Sequence, residues 1–170
     1  MAKTAFQNMT KLFSNKGMQM GVRLRLLKCY VWSILLYGCE AWTISKRMQE
    51  KLEATEMWFL RRMLRIPWAD KITNVAVLRR AGTGRQLTKN ILERQMKFLG
   101  HVMRKETLEE LSVTGRIEGT RGRGRPRRDY LHSLCDIVGG ITGPTELLRA
   151  TKDRLGWKLM IADVRMDTAP

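Results

Sequence analysis

The chain is 170 residues long, 44% hydrophobic and 28% charged, with 32 Lys and Arg against 16 Asp and Glu, a net charge of +16. That length suits one ordinary domain or two small ones, and the apolar fraction excludes a generically disordered chain. The charge points to a polyanion, nucleic acid first and an acidic membrane surface second, while no apolar run approaches the roughly 18–20 residues of a membrane span.

The excess charge is uneven. Residues 1–105 carry 21 bases and 6 acids, residues 106–120 carry 1 and 4, residues 121–128 carry 5 and none, and residues 129–170 carry 5 and 6. Bases spread in this way, with no lipid anchor beside them, set the membrane aside. Arg outnumbers Lys by 20 to 12, which suits bidentate phosphate contacts. The N-terminal Met1-Ala2-Lys3-Thr4 has no apolar signal-peptide core. Three scattered cysteines make no disulfide framework and point to a reducing compartment, nucleus or cytoplasm.

In chain order, the first expected helix runs from Met20 to about Leu36. Val22, Leu26, Leu27, Tyr30, Val31, Ile34 and Leu35 paint one face, with Arg23, Arg25 and Lys28 largely off it, and Gly38 ends it. A second helix runs from Ser45, a suitable N-cap, to Ile66, with a stripe of Leu52, Phe59, Leu60, Met63 and Leu64 and Pro67 as terminator. Arg61, Arg62 and Arg65 fall in its last turn, where they suit the helix dipole and a phosphate equally. Residues 67–84 read as a connection with a short helix near Val75–Arg80, broken by Gly82 and Gly84. A third long helix spans about Gln86 to Met103, with Leu87, Ile91, Leu92, Phe98, Leu99 and Val102 inward. Beyond a loop from Gly115 to Arg128, two shorter helices are expected at Arg128–Val138 and Pro144–Met160. No strand or fixed-period repeat is expected. The reading is all-α: a helical bundle at 1–105, a linker at 106–128 containing a flexible Arg/Gly-rich tether, and a small helical tail at 129–170.

The tether's residues 121–128 read Arg-Gly-Arg-Gly-Arg-Pro-Arg-Arg. Glycine keeps this backbone thin and Pro126 holds it extended, so Arg121, Arg123, Arg125, Arg127 and Arg128 can reach into a narrow groove or along phosphates. Arg123-Gly124-Arg125-Pro126 resembles the AT-hook, a minor-groove binder of A·T-rich DNA. A basic linker or nuclear-import signal is the other reading of the same run.

Catalytic constellations are missing. The arginine run lacks the Gly-Lys-Ser/Thr ending of a phosphate-binding loop, and Asp70, Asp129, Asp136, Asp153, Asp163 and Asp167 are single residues rather than paired carboxylates. Ser133 and His132 have nothing to fix a triad. Cys29, Cys39, His101, His132 and Cys135 lack zinc-site spacing, so neither metal nor cofactor is expected. Tyr30, Trp32, Tyr37, Trp42, Trp58 and Trp68 gather among basic residues. At helical spacing such aromatics are core by default, although one or two could stack on a base or sugar.

Several ordered segments resemble the thumb and post-thumb region of reverse transcriptases from non-LTR (LINE-type) retrotransposons. They are the stretch from Leu26 to Trp42, Leu60-Arg61-Arg62-Met63-Leu64-Arg65-Ile66-Pro67-Trp68, and Lys97-Phe98-Leu99-Gly100-His101-Val102-Met103-Arg104. The arginine run and Asp153-Arg154-Leu155-Gly156-Trp157-Lys158 complete the set, and Met1–Phe13 looks like the segment preceding it. No block is specific alone, but the order is, and it covers nearly the whole chain. Asp129-Tyr130 and Lys158 depart from the family pattern, as in a decayed or repurposed copy. The resemblance implies a chain that begins after the catalytic palm, lacks its Ala/Tyr-x-Asp-Asp aspartates and is not catalytic alone. It implies RNA, DNA or an RNA–DNA hybrid as partner, met by Arg23, Arg25, Lys28, Arg61, Arg62, Arg65 and the arginine run. Without a palm, uncovered apolar surface leaves room for self-association or a protein partner. The alternative is a non-enzymatic protein-interaction module whose arginines serve import.

Overall fold

The computed structural model describes residues 1–105, 108–116, 119, 123, 129–138 and 143–166, and only the backbone of 165 and 166. Among the described residues every regular element is helical, so the fold is all-α. Packing divides them into two compact units: Met1–Gly38 with Lys46–Thr88, and Cys39–Ser45 with the described residues from Lys89 onward. The expected boundaries at 105 and 128 do not follow this packing. Leu92, Met96, Leu99 and Met103 share a core with Leu131, Leu134, Leu147, Trp157 and Ile161. Composition marks loops, whereas units are set by which apolar stripes meet.

The first unit contains α1 (Ala2–Asn8), α2 (Thr10–Phe13), α3 (Met20–Leu26), a π-helical segment (Leu27–Trp32), α4 (Ser33–Leu35), α5 (Lys46–Met63) and α6 (Asn74–Ala81). Helices α1 and α2 bring Phe6 and Phe13 into a stack at 4.6 Å, and Phe6 also meets Trp58 and Phe59 of α5. The π segment changes the expected inward face of the first long helix. It lengthens the turn, so that Trp32 and Leu36 are buried along with Leu27 and Val31; Arg23 is also buried, while Val22, Tyr30 and Ile34 face out. Gly38, at φ 67°, closes this stretch as expected.

Helix α5 keeps its expected stripe, with Leu52, Phe59, Leu60 and Met63 buried. A second core cluster forms where Met57 and Leu60 meet Val77 and Ala81 of α6. Thr73 caps α6 by accepting from the Ala76 N–H at 3.3 Å.

Helix α7 (Leu87–Val102) spans the boundary between the units in sequence. Its first turn is capped from within the first unit: Glu56 Oε1 accepts from the N–H groups of Gln86 and Leu87 at 2.9 and 3.1 Å.

The second unit adds α8 (Leu108–Thr114), α9 (Tyr130–Val138), α10 (Pro144–Ala150) and α11 (Arg154–Met166). Helix α8 lies inside the expected linker, and Val113 packs against the unit's core. The single helix expected at Pro144–Met160 is two, because Asp153 Oδ1 accepts from the Leu155 N–H at 3.0 Å and starts α11 afresh. The segment 39–45, a 3₁₀ turn at Cys39–Ala41 followed by irregular chain, is held by side chains that satisfy its carbonyls. Gln95 Nε2 donates to Cys39 and Trp42 at 3.0 and 2.7 Å, Tyr130 Oη to Glu40 at 2.9 Å, and Ser133 Oγ to Ile44 at 2.9 Å.

Candidate nucleic-acid interface

Positive charge concentrates in the first unit, whose 16 bases and 4 acids give +12, leaving +4 for the rest of the chain. Thirteen of those 16 bases are exposed; Arg23, Arg61 and Arg85 are not fully so. The acids offset little of this. Glu56 is buried, Glu53 is paired with Arg85, and only Glu50 and Asp70 are exposed.

Arg25 and Lys28 are exposed as expected, with the Lys28 Nζ 5.8 Å from the Trp32 ring centroid. Arg23 departs from the expected phosphate-facing set. It is buried, and its Nη1 donates to the carbonyls of Phe13 at 3.2 Å and Met63 at 2.8 Å. It lies one helical turn before the buried Leu27, and its charge satisfies the ends of two helices instead of a ligand. Arg23 thereby draws α3 to the end of α5, where Met20 and Leu24 pack on the same cluster as Leu64 and Ile66.

The three arginines ending α5 have three different roles. Arg62 is exposed and lies over the Trp58 ring at 4.3 Å, with the Lys3 Nζ at 5.2 Å from the same ring. Arg61 is half-buried, and its Nη2 donates to the Ile72 carbonyl at 2.7 Å and to Asn74 Oδ1 at 2.9 Å. Arg65 is exposed and left-handed, at φ 54°. The Ile66 N–H bonds the Arg61 carbonyl at 2.9 Å, and the Arg65 N–H bonds the Arg62 carbonyl at 3.2 Å. This is a Schellman ending, with arginine where glycine is preferred. The same pair of bonds ends α6 and α8, with Gly82 and Gly115 in the left-handed position.

Of the arginine run, Arg123 is exposed, while Arg121, Arg125, Arg127 and Arg128 lie outside the described residues. The aromatics separate cleanly. Trp32 is buried and Trp42 and Trp58 are half-buried, whereas Tyr30, Tyr37 and Trp68 are 56%, 86% and 93% exposed. Lys71, left-handed at φ 45° and exposed, was not among the expected site residues. Its signal was the Pro67-Trp68 pair before it, a tryptophan outside any apolar stripe.

Cys29 and His101 are exposed, Cys39 is buried, and His132 Nδ1 lies 3.1 Å from Asp129 Oδ2. Burial pushes the thiols of Cys39 and Cys135 up from their ordinary values. Among the described residues no three His, Cys, Asp or Glu side chains gather as a metal cluster. No helix among them is long and apolar enough to cross a membrane. No family model, curated protein or solved structure matches the chain.

Proposed function

We propose that the chain is a nucleic-acid-binding remnant of a non-LTR reverse transcriptase, contacting a template–primer or target strand without catalysing its synthesis. The observation that carries this reading is the first unit's surface of 13 exposed bases against two exposed acids. Arg25, Lys28, Arg62 and Arg65, each exposed, are the cations assigned to this contact, and the arginine run at 121–128 is assigned a second one. Surface charge of this kind attracts phosphate without reading sequence.

The test is fluorescence anisotropy of the purified chain against RNA–DNA hybrid, duplex DNA, hairpin RNA and single strands at several salt concentrations. If about 6–10 phosphates are met, affinity falls about 10³–10⁵-fold between 50 and 200 mM salt. Alanine at Arg123 and Arg125 weakens binding. Weak binding to every strand at physiological salt overturns the reading.

A second reading rests on a different surface. Leu155 and Leu159, one turn apart on α11, are both largely exposed. An apolar pair of this kind suits a protein partner or a second copy. That reading predicts a complex that survives nuclease treatment.

A further inference from the structure

Residues 65–71 leave α5 and present one large aromatic ring to solvent. Trp68 is 93% exposed, although Ile66 and Ile72 on either side of it are partly buried against the cluster of Met57, Leu60, Val77 and Ala81. Both ends of the loop are fastened. The Schellman pair closes its start, and the Arg61 guanidinium grips Ile72 and Asn74 at its end. Between them, Trp68–Asp70 forms a 3₁₀ turn, with the Lys71 N–H bonded to the Trp68 carbonyl at 3.3 Å. Arg65 and Lys71, at φ 54° and 45°, bracket the turn with left-handed backbone that residues other than glycine rarely adopt. Such strain persists only where the surroundings over-determine it, and it clusters at ligand clamps.

Resting on the polyanion reading above, we propose that residues 65–71 are a preformed stacking tip, in which Trp68 takes one unpaired base of a single strand while Arg65 and Lys71 meet its flanking phosphates. An indole with its surface in water offers a π-face to any base, and a fastened loop loses little entropy in doing so. Bases inside a duplex already stack on one another, so the tip favours single strands. Asp70, two residues from the indole, disfavours insertion into an anionic membrane surface.

The test titrates the full chain, Trp68→Ala and Trp68→Phe against labelled oligo-dT, oligo-U, a DNA duplex of equal length and phosphatidylserine vesicles, across a salt series. Trp68→Ala is expected to bind both single strands about 5- to 150-fold more weakly, the range for losing one base–aromatic stack. Its salt slope stays unchanged, because no cation is removed, and its melting temperature stays at the wild-type value, because the ring is exposed. Trp68→Phe retains most of the affinity. Equal single-strand binding by Trp68→Ala and wild type, with a steep salt slope intact, overturns the tip and leaves the polyanion reading standing. An equal loss on duplex and single strand also overturns it. So does a loss confined to phosphatidylserine vesicles, which assigns the ring to a membrane surface. Failure of the wild-type chain to bind any strand overturns the polyanion reading together with the tip.

Discussion

The indole of Trp157 lies on the backbone of α7 at Gly100. Its Nε1 donates to the Met96 carbonyl at 3.0 Å, and a Cβ at Gly100 would fall on the ring, 2.7 Å from its Cδ1. One turn further, Arg104 Nη1 donates to the Thr151 carbonyl at the end of α10, at 3.0 Å. Residues 96–104 are therefore joined to residues 151–157 by the packing of Trp157 on Gly100 and by two side-chain hydrogen bonds to carbonyls.

Gly100→Ala tests that junction. In an exposed helix the change stabilises by about 1 kcal/mol. Here it forces the indole off its carbonyl and is expected to destabilise by about 1–3 kcal/mol. Urea denaturation of Gly100→Ala, Trp157→Phe and the double variant should return a coupling of about 0.5–3 kcal/mol. An additive pair would separate the two residues.

Arg65→Gly should part stability from binding. Removing a side chain from a left-handed position relieves about 1–2 kcal/mol. The variant is expected to melt higher while its salt slope falls by about 0.9, one phosphate contact. A lower melting temperature would show that the Arg65 side chain braces the loop.

Arg23→Ala should do the reverse. Its guanidinium bonds two carbonyls in the interior, so removal destabilises by about 1.5–3 kcal/mol per charged hydrogen bond lost. Where the variant remains folded at low temperature, its salt slope matches wild type, whereas Arg25→Ala and Arg62→Ala each lower it. A reduced slope for Arg23→Ala would return that residue to the interface.

Glu56 gives a pH signature. Burial raises its carboxyl above the ordinary glutamate value, and the Gln86 and Leu87 N–H groups offset this only in part. Its second oxygen, Oε2, has no partner among the described residues. A folded value above the unfolded one means that the native state holds its proton longer. This contribution is therefore fully present below the unfolded value and is lost as pH rises through the folded one. Glu56→Gln keeps an acceptor for both N–H groups and does not titrate. Its melting temperature relative to wild type should rise as pH climbs above the ordinary glutamate range. A constant difference would place the ionised carboxylate comfortably in its site.

Much of the helical architecture was legible because apolar residues at 3.6-residue spacing carry their own signal. The stripe on α5, the short α6 and most of the α7 stripe appear where that spacing puts them. Arg25, Lys28, Arg62 and Arg65 were likewise legible as surface cations. Periodicity could not show the π segment, because an i→i+5 turn leaves no mark in a pattern read at a constant period. Within and after that segment Trp32 and Leu36 are buried and Tyr30 faces out, and before it Arg23 is buried by contacts with Phe13 and Met63 that no local pattern encodes. The break at Asp153 was missed for a smaller reason: a single capping carboxylate outweighed a continuous run of helix-forming residues.

The sequence by itself determined the all-α class and the sign and distribution of the charge, since both depend on residue type and local spacing. Tertiary structure decided which arginines meet water and which meet backbone carbonyls. Arg23 and Arg61 satisfy carbonyls distant in sequence, at Met63 and Ile72, whereas Arg62 and Arg65 remain exposed. It also separated five chemically identical tryptophans into a core ring over Gly100 at Trp157, a buried Trp32, half-buried Trp42 and Trp58, and an open ring at Trp68. Burial is a property of what packs around a residue, and that is settled only when helices distant in the chain meet.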